Sequence, residues 1–193
     1  MLRWRLPERN RRIFIDEEGE RTLTTGALSS RSGILKAISE NIKAQGLAVL
    51  VGLSGTGKTT LSIEYAYENI SSYDEIFFIH GEDFVTQLQE IVFNLFAINT
   101  DNLSFFELMS ALFGKKSKRL FVIDDFNISE QLDSFINYAA EQLGADLIIT
   151  SISQHWDNAI NVHTLKEAES IAFIKGFNFP KSARVPVRNT IFF

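Results

Sequence analysis

The sequence contains no cysteine, which excludes disulfide bonds, thiol catalysis and thiolate metal sites. Its three histidines are scattered along the 193 residues, and this argues against a zinc site. No run of about 18 apolar residues occurs, so the sequence offers no membrane-spanning helix. With no disulfide bonds and no signal-peptide pattern, we expect a cytoplasmic location.

The sequence also lacks an excess of positive charge, since acidic residues outnumber basic ones and the formal net charge is −5. This balance argues against a broadly basic surface for nucleic acid. The arginine-rich stretch 3–12 around Trp4 is a local exception. Contact with nucleic acid or an anionic lipid surface is one reading of it, and a solvated terminus is the alternative.

Apolar residues recur with a period that predicts helices alternating with short buried strands. Helices are predicted at 32–45, 58–70, 83–97, 108–113, 129–143 and 167–175, and strands at 47–51, 75–79, 119–123, 146–150 and 160–163. A further short strand is possible at 13–15. Capping boxes are predicted at Ser104 with Glu107 and at Thr164 with Glu167. This alternation predicts an α/β fold with a mainly parallel sheet and helices on both of its faces.

The stretch GLSGTGKT at 52–59 matches the Walker A pattern, between a predicted buried strand and a predicted helix. Backbone N–H groups of such a loop and of the helix start point at a phosphate anion. Lys58 is predicted to reach the β- and γ-phosphates, and the Thr59 hydroxyl to ligate Mg²⁺. The predicted nucleotide-binding residues of this loop are Gly52, Ser54, Gly55, Thr56, Gly57, Lys58, Thr59 and Thr60. We therefore expect the three-layer sandwich of a P-loop NTPase, with a sheet of about five strands.

Two adjacent acids follow the third of these strands, in the stretch RLFVIDD. Asp124 is predicted to hold Mg²⁺, on a strand expected to lie beside the strand that carries the phosphate loop. Asp125 is predicted to orient or deprotonate the attacking water, which makes it, with Lys58, a predicted catalytic residue. The alternative for both acids is the start of a solvated turn.

The fourth strand is followed by hydroxyl side chains, in the stretch LIITSIS. Its end is expected beside the phosphate loop. Thr150 or Ser151 is therefore predicted to hydrogen-bond the γ-phosphate or the water, with ordinary strand-end polarity as the alternative.

Five blocks between residues 28 and 177 resemble the NB-ARC domain of the STAND class of P-loop NTPases, and bacterial members most of all. The blocks are GLSGTGKTTL, YDEIFFIHGED, LFVIDDF, GADLIITS and LKEAESIAFI. The resemblance implies a switch whose ATP and ADP states differ in interdomain packing and which slow Mg²⁺-dependent hydrolysis resets. It also implies that Arg31 lies near the adenine and the sugar. Self-association or binding to other protein chains is implied as well.

The sequence departs from the NB-ARC pattern in several places. Ser30 and Ser32 replace the usual glycine and acid around Arg31, and Ile152 stands where an arginine is frequent. The Gly-x-Pro helical segment and the winged helix of the family are not in the sequence. We therefore expect the nucleotide-binding core alone, at 28–177, with an amino-terminal extension at 1–27 and an irregular tail at 178–193.

Two other functions are compatible with these residues. One is a non-catalytic module that holds a nucleotide and needs a partner chain. The other is an initiator-type or AAA+ ATPase linked to DNA, which needs a basic tract or an arginine finger; Arg184 and Arg188 lie in the tail without a helical context. The N-K-x-D motif of guanine recognition does not occur, which favours ATP and ADP over guanine nucleotides.

Overall fold

The computed structural model describes residues 3–5, 31–113, 117–126, 130–141, 145–153 and 156–176. The chain divides into two compact units, one made of residues 1–7 and 32–164 and the other of residues 8–31 and 165–193. The first unit carries the whole described sheet. The possible strand at 13–15 and the predicted tail lie outside the described residues, and the predicted domain boundaries stay predictions.

A parallel sheet forms the centre of the first unit. Its described strands are β1 (Arg3–Arg5), β2 (Leu47–Val51), β3 (Glu75–His80), β4 (Arg119–Asp124), β5 (Ala145–Ser151) and β6 (Ile160–Asn161). They follow the order β1-β3-β4-β5-β2-β6, and every neighbouring pair is parallel. The predicted α/β class and parallel sheet are therefore confirmed. Strand β1 was not predicted, because three residues are too few to show a period.

Helices cover both faces of this sheet. The described helices are α1 (Ser32–Gln45), α2 (Lys58–Glu68), α3 (Phe84–Phe96), α4 (Phe105–Phe113), α5 (Glu130–Glu141) and α6 (Glu167–Gly176), the last in the second unit. Helices α1 and α2 pack on one face of the sheet, and α3, α4 and α5 pack on the other. Successive strand residues point to opposite faces, so Val49 joins one core and Leu50 the other. None of the described helices is long and apolar enough to cross a membrane.

Local capping sets several helix boundaries. The box at Ser104 is confirmed, because its N–H donates to Glu107 Oε2 at 2.8 Å and its hydroxyl accepts the Glu107 N–H. The prediction of a capping box at Thr164 with Glu167 is wrong. Helix α6 begins at Glu167, and the Lys166 N–H donates to Glu169 Oε2 at 2.7 Å, so the cap lies two residues later than predicted.

A partly buried hydrogen bond joins the residues before β3 to the start of β5, at the edge of the sheet opposite the edge where the phosphate loop lies. The Tyr73 hydroxyl donates to Asp146 Oδ2 at 2.7 Å, and the tyrosine is only 4% exposed. Burial first, and then the bond to Asp146, raises the pKa of Tyr73 well above its usual range. The protonated tyrosine therefore stabilises the folded chain below about pH 10, and this contribution is lost as the pH rises further.

We expect Tyr73→Phe to lower the free energy of unfolding by about 1–3 kcal/mol at neutral pH, because Asp146 loses a buried donor. The variant is also expected to lose less stability than wild type above about pH 10. Urea unfolding between neutral and alkaline pH measures both effects. Tyr138→Phe is the control, since its ring keeps its packing against Phe106 and Phe113. Equal stability of Tyr73→Phe and wild type at neutral pH would contradict the assignment.

Candidate nucleotide-binding site

The predicted phosphate loop connects the end of β2 to the start of α2. Gly55 and Gly57 have φ angles of 77° and 92°, in the left-handed region that other residues rarely adopt. Thr56 is buried and folds back within the loop, since its hydroxyl donates to the Leu53 carbonyl at 3.0 Å. The loop is therefore a tight turn that ends directly at the amino terminus of helix α2, where backbone N–H groups are available to an anion.

Lys58 is buried and reaches back over the loop. Its Nζ donates to the Gly52 carbonyl at 2.9 Å and to the Leu53 carbonyl at 3.0 Å. The ammonium group thus lies against the beginning of the loop, with two of its three N–H donors bonded to loop carbonyls. The remaining predicted loop residues differ in exposure: Ser54 and Gly55 are exposed, whereas Thr60 is half-buried in α2.

A buried carboxylate lies at the carboxyl end of β4. Asp124 is 3% exposed, and its Oδ1 accepts hydrogen bonds from the Thr59 and Thr150 hydroxyls, both at 2.7 Å. Thr59 and Asp124, the two predicted magnesium ligands, are therefore in contact. Hydroxyl and carboxylate oxygens are hard donors, so this pair fits Mg²⁺, which takes its other ligands from phosphate and water. Among the described residues no cluster of three or more His, Asp or Glu side chains forms a metal site of its own.

The position of β4 in the sheet differs from the prediction. Strand β4 was expected beside β2, but β5 lies between the two. The expectation that β5 ends beside the phosphate loop is confirmed by the register, which pairs Val51 with Ser151. Thr150, at the end of the intervening strand, bridges the gap through its bond to Asp124.

The chain turns sharply directly after Asp124. Asp125 is exposed and has a φ of 54°, an uncommon value for a residue other than glycine. Its N–H donates to Thr150 Oγ1 at 2.8 Å, and the next N–H, of Phe126, donates to the Thr150 carbonyl at 2.9 Å. Ser151 completes the contacts by donating its hydroxyl to the Phe126 carbonyl at 2.9 Å. We call residues 124–126 the acid turn.

Both hydroxyls at the end of β5 thus bond to the acid turn. Thr150 and Ser151 are almost fully buried, at 1% and 0% exposure. Their predicted contact with a γ-phosphate or water stays a prediction. Arg31 is buried and belongs to the second compact unit, and its predicted place near the adenine and sugar stays a prediction too.

A pocket of about 340 Å³ opens beside the beginning of the phosphate loop. It is lined by Val51, Gly52, Leu53, Thr56, Ile152, Asn161, Val162, His163 and Thr164. Leu53 and Ile152 are large apolar side chains that are more than half exposed, at 74% and 57%. The sequence analysis did not predict that residues 161–164 line this pocket. The signal that could have indicated it was the strand predicted at 160–163, which placed these residues near the sheet.

Comparison with known proteins identifies the fold of this chain through solved structures. Neither a scan against protein-family models nor a search of curated proteins found a match. Among solved structures, a STAND protein (signal transduction ATPase with numerous domains) from Pyrococcus horikoshii, which has a tetratricopeptide repeat sensor, aligns over 78% of this chain with a TM-score of 0.50 and 16% identity. This chain has the fold of P-loop ATPases. It spans 25% of the length of that STAND protein.

Two further solved structures also align with the chain. Domain III of the replication initiation protein DnaA from Thermotoga maritima aligns over 79% of the chain, with a TM-score of 0.42 and 18% identity. PCH-2 of C. elegans aligns over 77%, with a TM-score of 0.41 and 13% identity. The chain spans 60% of the DnaA domain and 45% of PCH-2.

Proposed function

We propose that this chain is the nucleotide-binding core of a signalling switch of the STAND type, similar to NB-ARC domains, that binds ATP and ADP with Mg²⁺ and hydrolyses ATP slowly. The observation that carries the proposal is the contact between Thr59 and Asp124 next to a glycine-rich loop that is followed directly by Lys58. A phosphate site needs all three parts together: a loop of N–H donors, a cation and a pair of magnesium ligands.

In this proposal the loop residues 54–57 and the start of α2 bind the phosphates. Lys58 donates to phosphate oxygens, and charge-assisted bonds of this kind stabilise its ammonium group. Thr59 and Asp124 hold Mg²⁺, which supplies charge neutralisation at the phosphates when it is bound. The neighbouring pocket is large and apolar enough to take the base, with polar groups at 161–164 to orient it.

Asp125 has the role of orienting the attacking water. We expect Asp125→Asn to slow hydrolysis of MgATP by about 100-fold or more, because the amide is not a proton acceptor of comparable strength. Asparagine tolerates positive φ, so the turn is retained and nucleotide affinity is expected to stay unchanged. Single-turnover hydrolysis and calorimetry measure the two quantities. Asp133→Asn, an exposed change on α5, is the control.

Calorimetric titration of the nucleotide-stripped chain with MgATP and then MgADP tests the proposal as a whole. Binding of both nucleotides, each dependent on Lys58, is the expected result. A folded wild-type chain that binds neither nucleotide would overturn it.

A second function, a non-catalytic module that works by pairing with another chain, is favoured by one observation. Leu53 and Ile152 line the same pocket and are 74% and 57% exposed, and a partner chain that covered them would remove this apolar surface from water. This function requires self-association or a stable complex in the absence of hydrolysis. Light scattering that finds a monomer with and without nucleotide would count against it. A DNA-linked ATPase needs a basic tract or an arginine finger, and the two tail arginines considered for that role, Arg184 and Arg188, lie outside the described residues.

A further inference from the structure

The Thr150 hydroxyl connects the two acids at the end of β4. It donates to Asp124 Oδ1 at 2.7 Å and accepts the N–H of Asp125 at 2.8 Å. One buried side chain from β5 therefore contacts the carboxylate proposed for magnesium and the backbone of the residue proposed to orient water.

The hydrogen-bonding capacity of a hydroxyl limits what Thr150 can do. A hydroxyl has a single proton to donate, and an ionised carboxylate can only accept. The proton of Thr150 is therefore committed to Asp124, and in the same way the proton of Ser151 is committed to the Phe126 carbonyl. A phosphate oxygen without a proton would need one of these protons, so neither hydroxyl can bind it while the acid turn stays as it is.

The acid turn also needs an external support. Asp125 is exposed and has a positive φ, a conformation that costs free energy unless the surroundings hold it. The Thr150 hydroxyl and carbonyl hold two successive N–H groups of the turn. Gly81 also lies against the turn, where a Cβ would be 2.8 Å from the Asp125 carbonyl oxygen. The Phe126 ring is buried against Phe84.

We propose that Thr150 is a positioning residue, which holds Asp125 in its left-handed conformation and orients the Asp124 carboxylate, and that it is not a phosphate ligand. This inference rests on the proposed hydrolysis of ATP for its functional consequence. Thr150 acts through Asp124 and Asp125, so its loss is expected to affect hydrolysis more than nucleotide binding.

The experiment compares Thr150→Val, which keeps the shape but has no hydroxyl, with Thr150→Ser, which keeps the hydroxyl. Thr150→Ala replaces the valine variant if that variant does not fold. Thr100→Val, the same change at a buried threonine after α3, is the control. Amide hydrogen exchange of Asp125 is measured by NMR without nucleotide, and hydrolysis and binding of MgATP are measured on the same proteins. The Phe126 amide is an internal reference, because its acceptor is the backbone carbonyl of Thr150 and persists in all variants.

The expected result has three parts. In Thr150→Val the Asp125 amide exchanges faster while the Phe126 amide does not. Hydrolysis slows by about tenfold to 100-fold, as is usual when a reacting group is misplaced, while MgATP affinity stays within about threefold. Thr150→Ser restores both. A ligand of the γ-phosphate would instead weaken MgATP binding with no change in Asp125 exchange, and that result overturns the inference.

Two other outcomes would contradict the positioning role of Thr150. Unchanged protection of Asp125 in Thr150→Val, or unchanged hydrolysis despite lost protection, overturns the inference. Failure of wild type to bind or hydrolyse MgATP overturns the proposed function and is distinguishable from failure of this inference, because amide exchange is measured without nucleotide. Protection that is lost in valine and regained in serine then still supports the positioning of Asp125 by Thr150.

Discussion

Lys58→Ala is expected to weaken MgATP binding about 100-fold, which corresponds to about 2.8 kcal/mol. In the structure the Lys58 ammonium group already lies over the phosphate loop, bonded to the carbonyls of Gly52 and Leu53. Charge-assisted bonds to phosphate oxygens each contribute about 1.5–3 kcal/mol, so removal of the cation has a large effect even if the loop keeps its shape. Calorimetric titration with MgATP measures the change.

The control for this experiment is Lys43→Ala, which removes an exposed lysine near the end of α1. It changes the net charge by the same amount without touching the loop. Urea unfolding of both variants separates a loss of binding from a loss of folding. If Lys58→Ala binds MgATP as tightly as wild type while Lys43→Ala does the same, the Lys58 ammonium group has no role in nucleotide binding and the proposed phosphate site is contradicted.

Gly52→Ala is expected to lower the free energy of unfolding by about 3 kcal/mol, at the upper end of the usual overpacking range. A Cβ at this position would lie closer to the Val162 carbonyl oxygen than any van der Waals contact allows, and it would also touch the Thr56 hydroxyl at 3.1 Å. The obstacle is backbone that cannot rotate away. The chain after β6 must therefore move, and because Gly52 and Val162 both line the pocket, MgATP binding is expected to weaken as well.

Gly33→Ala is the matched control for this glycine. Gly33 lies in the first turn of α1 with nothing within 4 Å of the position of a Cβ. Alanine there is expected to raise the free energy of unfolding by about 0.5 kcal/mol, because it loses less backbone entropy in a helix than glycine does. The two substitutions thus have opposite expected signs in urea unfolding. Wild-type stability and affinity in Gly52→Ala would show that the close approach to Val162 is not required.

The elements of the fold that have a strong local signal could be predicted. Helix α1 ends where Gly46 reverses the chain with a φ of 68°, and the buried run 47–51 forms β2 as expected. Helix α2 is shorter than predicted and ends at Glu68, because Asn69 caps its carboxyl end. The backbone N–H and the side-chain amide of Asn69 both donate to the Tyr65 carbonyl. This cap depends on a side-chain rotamer, which no apolar period encodes.

The candidate site also has features that could be predicted from the sequence and features that could not. The sequence placed the loop, Lys58, Thr59 and the two acids at strand and helix ends, because the Walker A pattern contains its own local geometry. It misplaced β4, since the order of strands depends on packing between segments far apart in the chain. It also missed the partners of Thr150, because a hydroxyl at the end of a strand bonds whatever the neighbouring strand presents.

What the sequence by itself determined is the α/β alternation, the glycine-rich Walker A loop between a strand and a helix, and the residue types of the candidate site: a cation, hydroxyls and carboxylates. These depend on backbone conformation and residue type within a few positions of each other. Only the tertiary structure decided that β5 separates β4 from β2 and that the Thr150 hydroxyl bonds both Asp124 and Asp125. It also decided that position 52 must lack a side chain, because the chain after β6 passes against it. Those features result from contacts between residues 25 to 110 positions apart, and such contacts are set by how the whole core packs rather than by any local pattern.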